Sequence, residues 1–257
     1  MNKGLVCRWL LNLSLAVVAF ALTLGVAELL LRATWTVERV TILYDPLLGF
    51  RGRPHAETIW TREMADKPRM VRLNAEGFHD YERTHDVPSR TRRIVFVGDS
   101  FLEAYQVDID ASFAQSVSRR LTNQARGDGY AVEVLNQGVH GYGLGTYALQ
   151  VRERLSQWNP DTVVLCLFLG NDLHDNFTPV ASTAVPRFHL QESELQYIPV
   201  PPASVRTWLR DQVLARSVLV RFLWMRLIKT SGGAMNLARA AGMVSTPDIQ
   251  SDAGGRP

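Results

Sequence analysis

The segment Ile94-Val95-Phe96-Val97-Gly98-Asp99-Ser100 carries the clearest structural signal in the chain. Its first four residues are apolar without alternation and three are β-branched, which suits a short strand buried on both faces of a parallel sheet. Gly98-Asp99-Ser100 ends the run with turn-forming residues. Next, Ser112 to Gln124 places Phe113, Val117 and Leu121 at helical spacing before Gly127 and Gly129 break the pattern. The alternation continues. Ala131 to Leu135 reads as a second strand, entering the loop Asn136-Gln137-Gly138-Val139-His140-Gly141-Tyr142-Gly143. Leu144 to Trp158 reads as a second helix, stopped by Asn159-Pro160, and Thr162 to Leu169 as a third strand ending at Gly170-Asn171-Asp172. Strand, loop and helix in this order predict an α/β domain with a parallel sheet and right-handed crossovers.

Outward from this core the signals are weaker. Upstream, Tyr44-Asp45-Pro46 and Gly49 to Pro54 are turn-rich, Met70 to Asn74 alternates like a short exposed strand, and Glu76-Gly77 closes it. This stretch is expected to lie over the main domain. Thr84 to Arg93 is polar and charged and reads as a connector. Downstream, Pro179 to Ala203 carries prolines and is expected to be irregular, while Ser204 to Lys229 is helical in pattern. Its second part, Leu214 to Lys229, mixes apolar residues with Arg216, Arg221, Arg226 and Lys229. Such residues can meet anionic lipid beside an anchor. Their spacing does not gather them on one face, so a solvated, partly packed helix is the expectation. The tail from Ser245 to Pro257 has a disordered composition.

The N-terminus has its own character. Leu10 to Leu31 is almost wholly apolar, and at ~1.5 Å per residue such a helix spans the ~30 Å of a bilayer core. Lys3 and Arg8 precede it and Arg32 follows, which places the N-terminus in the cytoplasm and the remainder outside it. A cleaved signal peptide is the competing reading, with Gly25-Val26-Ala27 as a weak site. Glu28 falls near the far end, within reach of interfacial water. The expected division is 1–9 cytoplasmic, 10–31 transmembrane, 33–92 lead-in, 93–230 α/β domain and 231–257 flexible tail.

Composition limits the function classes. With 46% apolar and 21% charged residues the chain is ordinary for a globular protein, and a net charge of +3 gives no case for nucleic acid. Cys7 and Cys166 make no disulfide framework. Cys166 sits in an apolar run as a small hydrophobe. The sequence around Cys7 lacks the small residues that approach a lipidated cysteine.

Three polar loops follow three successive parallel strands, and in open α/β sheets the carboxyl ends of strands share the edge where ligands bind. Ser100, the loop from Asn136 to Gly143, and Asn171 are therefore expected to converge. A serine oxygen attacking an ester carbonyl develops an oxyanion, and each preorganised donor aimed at it contributes roughly 10²–10³ in rate. The Ser100 amide, a loop glycine amide and the Asn171 side chain would supply three. His140 reads as a surface loop histidine. Asp172, His174, Asp175 and Asn176 are crowded on one loop with no second cluster, which favours a solvated loop over a metal site.

Gly98-Asp99-Ser100-Phe101, Asn136 to Gly141 and Gly170-Asn171-Asp172 resemble, in order and spacing, the first three sequence blocks of the SGNH/GDSL hydrolases. The resemblance covers roughly Met70 to Asn176. The lead-in Arg72-Leu73-Asn74-Ala75-Glu76-Gly77-Phe78 also resembles that of membrane-anchored bacterial members. It implies a flavodoxin-like three-layer sandwich and serine chemistry without metal or cofactor. Ser100 would be the nucleophile, Gly141 (rather than Gly138) and Asn171 oxyanion donors, and Asp99 a residue that holds the turn. The implied substrate is a small-molecule or carbohydrate ester, the implied location an inner membrane with the domain outside the cytoplasm. The family's last block, Asp and His three apart, has no counterpart here, and His174 and His189 lack its position. The chain is expected to be a portion of a longer protein carrying that block and the sheet's final strands. The alternatives are an acyltransferase with the same site and an envelope-binding protein lacking the base.

Overall fold

The computed structural model describes residues 3–34, 41–60, 67–170, 172, 185–192 and 194–230. The protein is mixed α/β. Helix α1 (Lys3–Thr34) is apolar and stands with its side chains exposed from Arg8 onward, except for the half-buried Ala27, Glu28 and Leu31. By length and composition Arg8–Thr34 is a candidate membrane-crossing helix.

The lead-in folds into two antiparallel pairs, β1 (Ile42–Asp45) with β2 (Gly49–Gly52), and β3 (Glu57–Trp60) with β4 (Arg69–Arg72). The strand expected at Met70 is present, and it alternates, with Val71 buried and Met70 exposed. The central sheet has the order β6-β5-β7, all parallel: β5 is Thr91–Gly98, β6 Ala131–Gly138 and β7 Thr162–Cys166. Between them run α2 (Ser100–Glu103), α3 (Phe113–Ala125) and α4 (Leu144–Arg154).

Period-2 alternation along β5 separates two apolar clusters. Val95 and Val97 pack with Leu135, Tyr147 and Leu149, joined by Leu48 and Phe50 from the lead-in. Phe96 packs with Val134, Leu102 and Ala114. Residues of α4 thus cover one side and residues of α2 and α3 the other. Because Leu48 and Phe50 are core residues, the lead-in completes the domain instead of merely covering it.

Several boundaries differ from expectation. Strand β5 starts at Thr91, inside the stretch read as a connector, because Arg93 is 0% exposed and has a buried role. Its guanidinium pairs with Glu133 at 2.5 Å and donates to the carbonyls of Thr84, His85 and Trp158 at 2.8–2.9 Å. Strand β7 ends at Cys166, three residues early, and is not buried on both faces: Leu165 is 49% exposed. Among the described residues it is an edge strand, and composition alone does not separate an edge from a centre. Helix α4 ends at Arg154, with a 3₁₀ turn at Ser156–Trp158. Phe113 heads α3 but is exposed, and Ala114 and Gln115 are buried instead.

The stretch read as irregular contains a hairpin, β8 (Arg187–Gln191) with β9 (Glu194–Ile198). The prolines at 186, 199, 201 and 202 flank it, and do not interrupt it. The helical stretch from Ser204 is broken: α5 (Val205–Trp208) passes into a π-helical turn at Leu209–Leu214, and α6 (Val218–Thr230) begins after a gap. The flexible tail expected over 231–257 lies outside the described residues.

Candidate active site

The nucleophile candidate opens a very short helix. Asp99 caps α2, its carboxylate accepting from the Phe101 amide at 3.0 Å. Ala104 closes the turn in the left-handed region (φ 55°), donating to the Ser100 carbonyl at 3.0 Å. Ser100 is half-buried at the head of this turn.

Strand β6 seats the turn from one side. Gly98 and Gly138 are register partners, so the two strands end level. Asn136 Nδ2 donates to the Leu102 carbonyl at 2.8 Å, while its Oδ1 accepts from the Gly138 amide at 3.0 Å. A Cβ on Gly138 would lie 2.4 Å from the Glu103 amide nitrogen, so α2 rests directly on the β6 backbone. The Gly138 amide is committed to Asn136, which removes it as an oxyanion donor. Gly141 lies in the loop beyond, at φ 74°, a backbone conformation that favours glycine. Between them His140 Nδ1 meets the Glu103 carboxylate at 2.9 and 3.0 Å, tying the loop back to α2. His140 is therefore a paired residue of the site and not a plain surface histidine.

Strand β7 closes the other side. Gly98 is also the partner of Cys166, and four residues of chain lead from there to Asn171. Phe168 stacks on Phe101 with ring centroids 4.0 Å apart. Asp172 accepts from the Phe168 amide at 2.8 Å and the Tyr147 hydroxyl at 3.1 Å, which ties it to the end of β7 and to α4. Asn171 itself lies outside the described residues, as do His174, Asp175 and Asn176. Among the described residues no group of three or more His, Cys, Asp or Glu could hold a metal. His189 sits on β8, and among the described residues no hydrogen bond joins the Ser100 hydroxyl to a histidine.

Several carboxylates lie behind the turn. Burial pushes the Asp99 carboxyl above its usual value; the Asp172 and Glu103 charges add to this and the Phe101 amide opposes it. Burial likewise raises the Cys166 thiol, in keeping with an inert hydrophobe. The Tyr105 hydroxyl is pushed far up by burial and by Glu103. Beneath α2, the buried His79 meets the Glu103 carbonyl at 2.9 Å, and Asp80 accepts from the Asn136 amide at 3.0 Å and the Gln115 side chain at 2.6 Å.

Glu103, Phe168, His79 and Asp80 escaped the sequence reading. Glu103 had one available signal, its place three residues after Ser100, on the same turn. A separate small cleft, lined by Leu48, Arg51, Gln137, Tyr142, Gln150 and Trp158 among others, does not include Ser100. Compared with known proteins, the sequence matches no protein-family model and no curated protein.

Proposed function

We propose that the chain is an exported, membrane-anchored serine ester hydrolase of the SGNH/GDSL type, with a flavodoxin-like arrangement of its α/β domain. One observation supports this above the others. Ser100, the Gly141 loop and the segment ending at Gly170 follow three adjacent parallel strands whose ends are level at Gly98, Gly138 and Cys166, and Asn171 comes next in sequence.

In the mechanism this supports, Ser100 Oγ attacks the ester carbonyl carbon and loses its proton to a base. The carbonyl oxygen becomes an oxyanion facing the Ser100 and Gly141 amides and the Asn171 side chain. Collapse expels the alcohol, which takes up the proton, and water then hydrolyses the acyl-serine by the same route. The resemblance assigns the base to an Asp-x-x-His pair, and the sequence from Met1 to Pro257 holds none. The N-terminal helix would hold the domain at the outer face of the membrane, where envelope carbohydrate esters are the accessible substrates.

The test is covalent labelling of membranes carrying the protein with a fluorophosphonate probe. Ser100→Ala is expected to abolish labelling. Equal labelling of the variant and the parent overturns the nucleophile assignment.

A further inference from the structure

We infer that the small cleft between the lead-in and α4 is a binding site for the acetamido group of an N-acetylated amino sugar. The observation that carries it is a pair of buried amide atoms, Gln137 Nε2 and Gln150 Oε1. Both residues line the cleft, and neither atom has a hydrogen-bond partner among the described residues.

Both side chains are 2% exposed. Gln137 is the register partner of Val97, on the side of the sheet that α4 covers, and Gln150 comes from α4 itself. Gln150 Nε2 donates to the Gln137 carbonyl at 3.3 Å and to Gln137 Oε1 at 3.1 Å. The backbone carbonyl settles which way both amides point. Turning the Gln150 amide over would set its oxygen against that carbonyl, and turning Gln137 alone would set two N–H groups together. One donor, Gln137 Nε2, and one acceptor, Gln150 Oε1, are therefore left for the cleft. Buried polar atoms seldom go without partners in a folded protein.

The group that answers them carries an acceptor and a donor side by side. A secondary amide has both, a carbonyl oxygen for Gln137 and an N–H for Gln150. The rest of the inner wall is apolar and aromatic, formed by the buried Leu48, Tyr142 and Trp158. The space takes only a few heavy atoms. That suits an amide that ends in a methyl group: an acetyl amide enters methyl first, whereas an amide within a peptide carries chain on both sides. Charge argues against an anion. The two guanidinium groups on the cleft, Arg51 and Arg154, both pair with the buried Asp45, at 3.7 and 2.7 Å, and Glu76 lines the cleft with them. These half-buried polar groups suit the ring hydroxyls of a neutral sugar. The site needs neither Ser100 nor a base. That an amino sugar carries the acetyl amide rests on the proposed placement of the domain outside the membrane.

The test is saturation-transfer NMR on the full chain in detergent micelles, with the methyl glycoside of N-acetylglucosamine as probe and methyl glucoside beside it. The acetamido methyl is expected to take up more saturation than any ring proton, and methyl glucoside none above background. Gln137→Met removes the donor and leaves Gln150 its bond to the backbone carbonyl; at parental Tm it should lower the methyl signal about fivefold. Equal saturation of the two glycosides overturns the inference, because the acetamido group is then not read. Parental saturation in a folded Gln137→Met protein overturns it too, since the contact then lies elsewhere. If N-methylacetamide, which mimics a peptide unit, displaces the glycoside at equal concentration, the amino-sugar assignment is overturned. No saturation of either glycoside leaves the two amide atoms to water and overturns the inference as a whole. The glycoside comparison needs only the parent protein, so it decides even where the variant does not fold. Fluorophosphonate labelling on the same samples tests the hydrolase separately: methyl saturation without labelling supports the cleft and counts against the serine chemistry alone.

Discussion

Gly138→Ala should displace the turn that carries Ser100. A Cβ at 138 would stand 2.4 Å from the Glu103 amide nitrogen, 2.7 Å from the Leu102 carbonyl carbon and 2.9 Å from Leu102 Cβ, against an ordinary contact of 3.4 Å or more. The shortfall is about 1 Å, and the nearest atoms are backbone, so no rotamer change relieves it. Strand β6 cannot yield easily, since Gly138 is in register with Gly98 and the next amide, Val139, donates to the Gly98 carbonyl at 3.1 Å. The four-residue helix must rise instead. Overpacking of this kind costs ~1–3 kcal/mol, or roughly 2–12 °C in Tm for a chain of this size. A displacement of about 1 Å at the nucleophile is expected to slow fluorophosphonate labelling about 10²-fold. Gly127→Ala is the control, because nothing lies within 4 Å of its added Cβ. Thermal melts and labelling rates on the same preparations give both readouts. A Gly138→Ala protein with parental Tm and labelling rate would refute the close seating of α2 on β6. A lowered Tm with an unchanged labelling rate would refute the link from that seating to Ser100.

Arg93→Met should cost about 3–5 kcal/mol, because it takes the closer of two cations from Glu133 and strands four backbone carbonyls that the buried guanidinium serves; a urea midpoint close to the parent's would contradict this. Stability should fall as pH drops through the ordinary imidazole value of 6.5, since burial holds His79 below it against the Glu103 carbonyl and the Glu103, Asp80 and Asp108 carboxylates. The unfolded chain then binds a proton that the folded chain refuses, so unfolding is favoured from about 6.5 downward to the folded value, while above 6.5 this group adds no slope. His79→Gln should flatten that part of the urea-midpoint profile; Asp80, raised by burial and so acting with the opposite sign, is common to both proteins and drops out of the difference. Leu165→Thr, at a half-exposed position of the edge strand, should change stability by no more than ~0.5 kcal/mol; a loss several times larger would mean that this face is covered.

What the sequence made legible was the part governed by local patterning. Ile94 to Val97, Ala131 to Leu135 and Thr162 onward announce strands because unbroken apolar runs have few other uses, and the loops after them had to share an edge once the strands were parallel. What stayed hidden depended on contacts between distant segments. Arg93 reads as connector because a charged residue is seldom wholly buried; only the meeting of Thr84, His85, Trp158 and Glu133 around it makes its place in β5 possible. Leu165 reads as core because composition cannot say which strand lies outermost. Glu28 reads as a residue near interfacial water, and its partners at Val218 and Leu219 are invisible until the chain returns to the end of α1. The hairpin at 187–198 was missed because prolines flank it closely enough to mask its alternation.

The two neighbours of α2 hold it by different means, and the difference bears on how such a site would work. On the β6 side the contacts are polar and mostly buried: Asn136 on Leu102, Glu103 on the partly exposed His140, backbone on backbone at Gly138. The buried Asn136 side chain and the Glu103 carboxylate have partners whose loss would leave them unsatisfied, so that side has little freedom to move. On the β7 side the contact is the Phe101–Phe168 stack, with both rings partly exposed. Stacked rings can slide or part at small cost, and their exposed faces suit an apolar group entering from solvent. An oxyanion site needs its donors fixed before the charge develops, whereas a site for varied esters needs one wall that yields. In the proposed hydrolase the polar clamp would answer the first need at Ser100, and the aromatic wall would answer the second beside it.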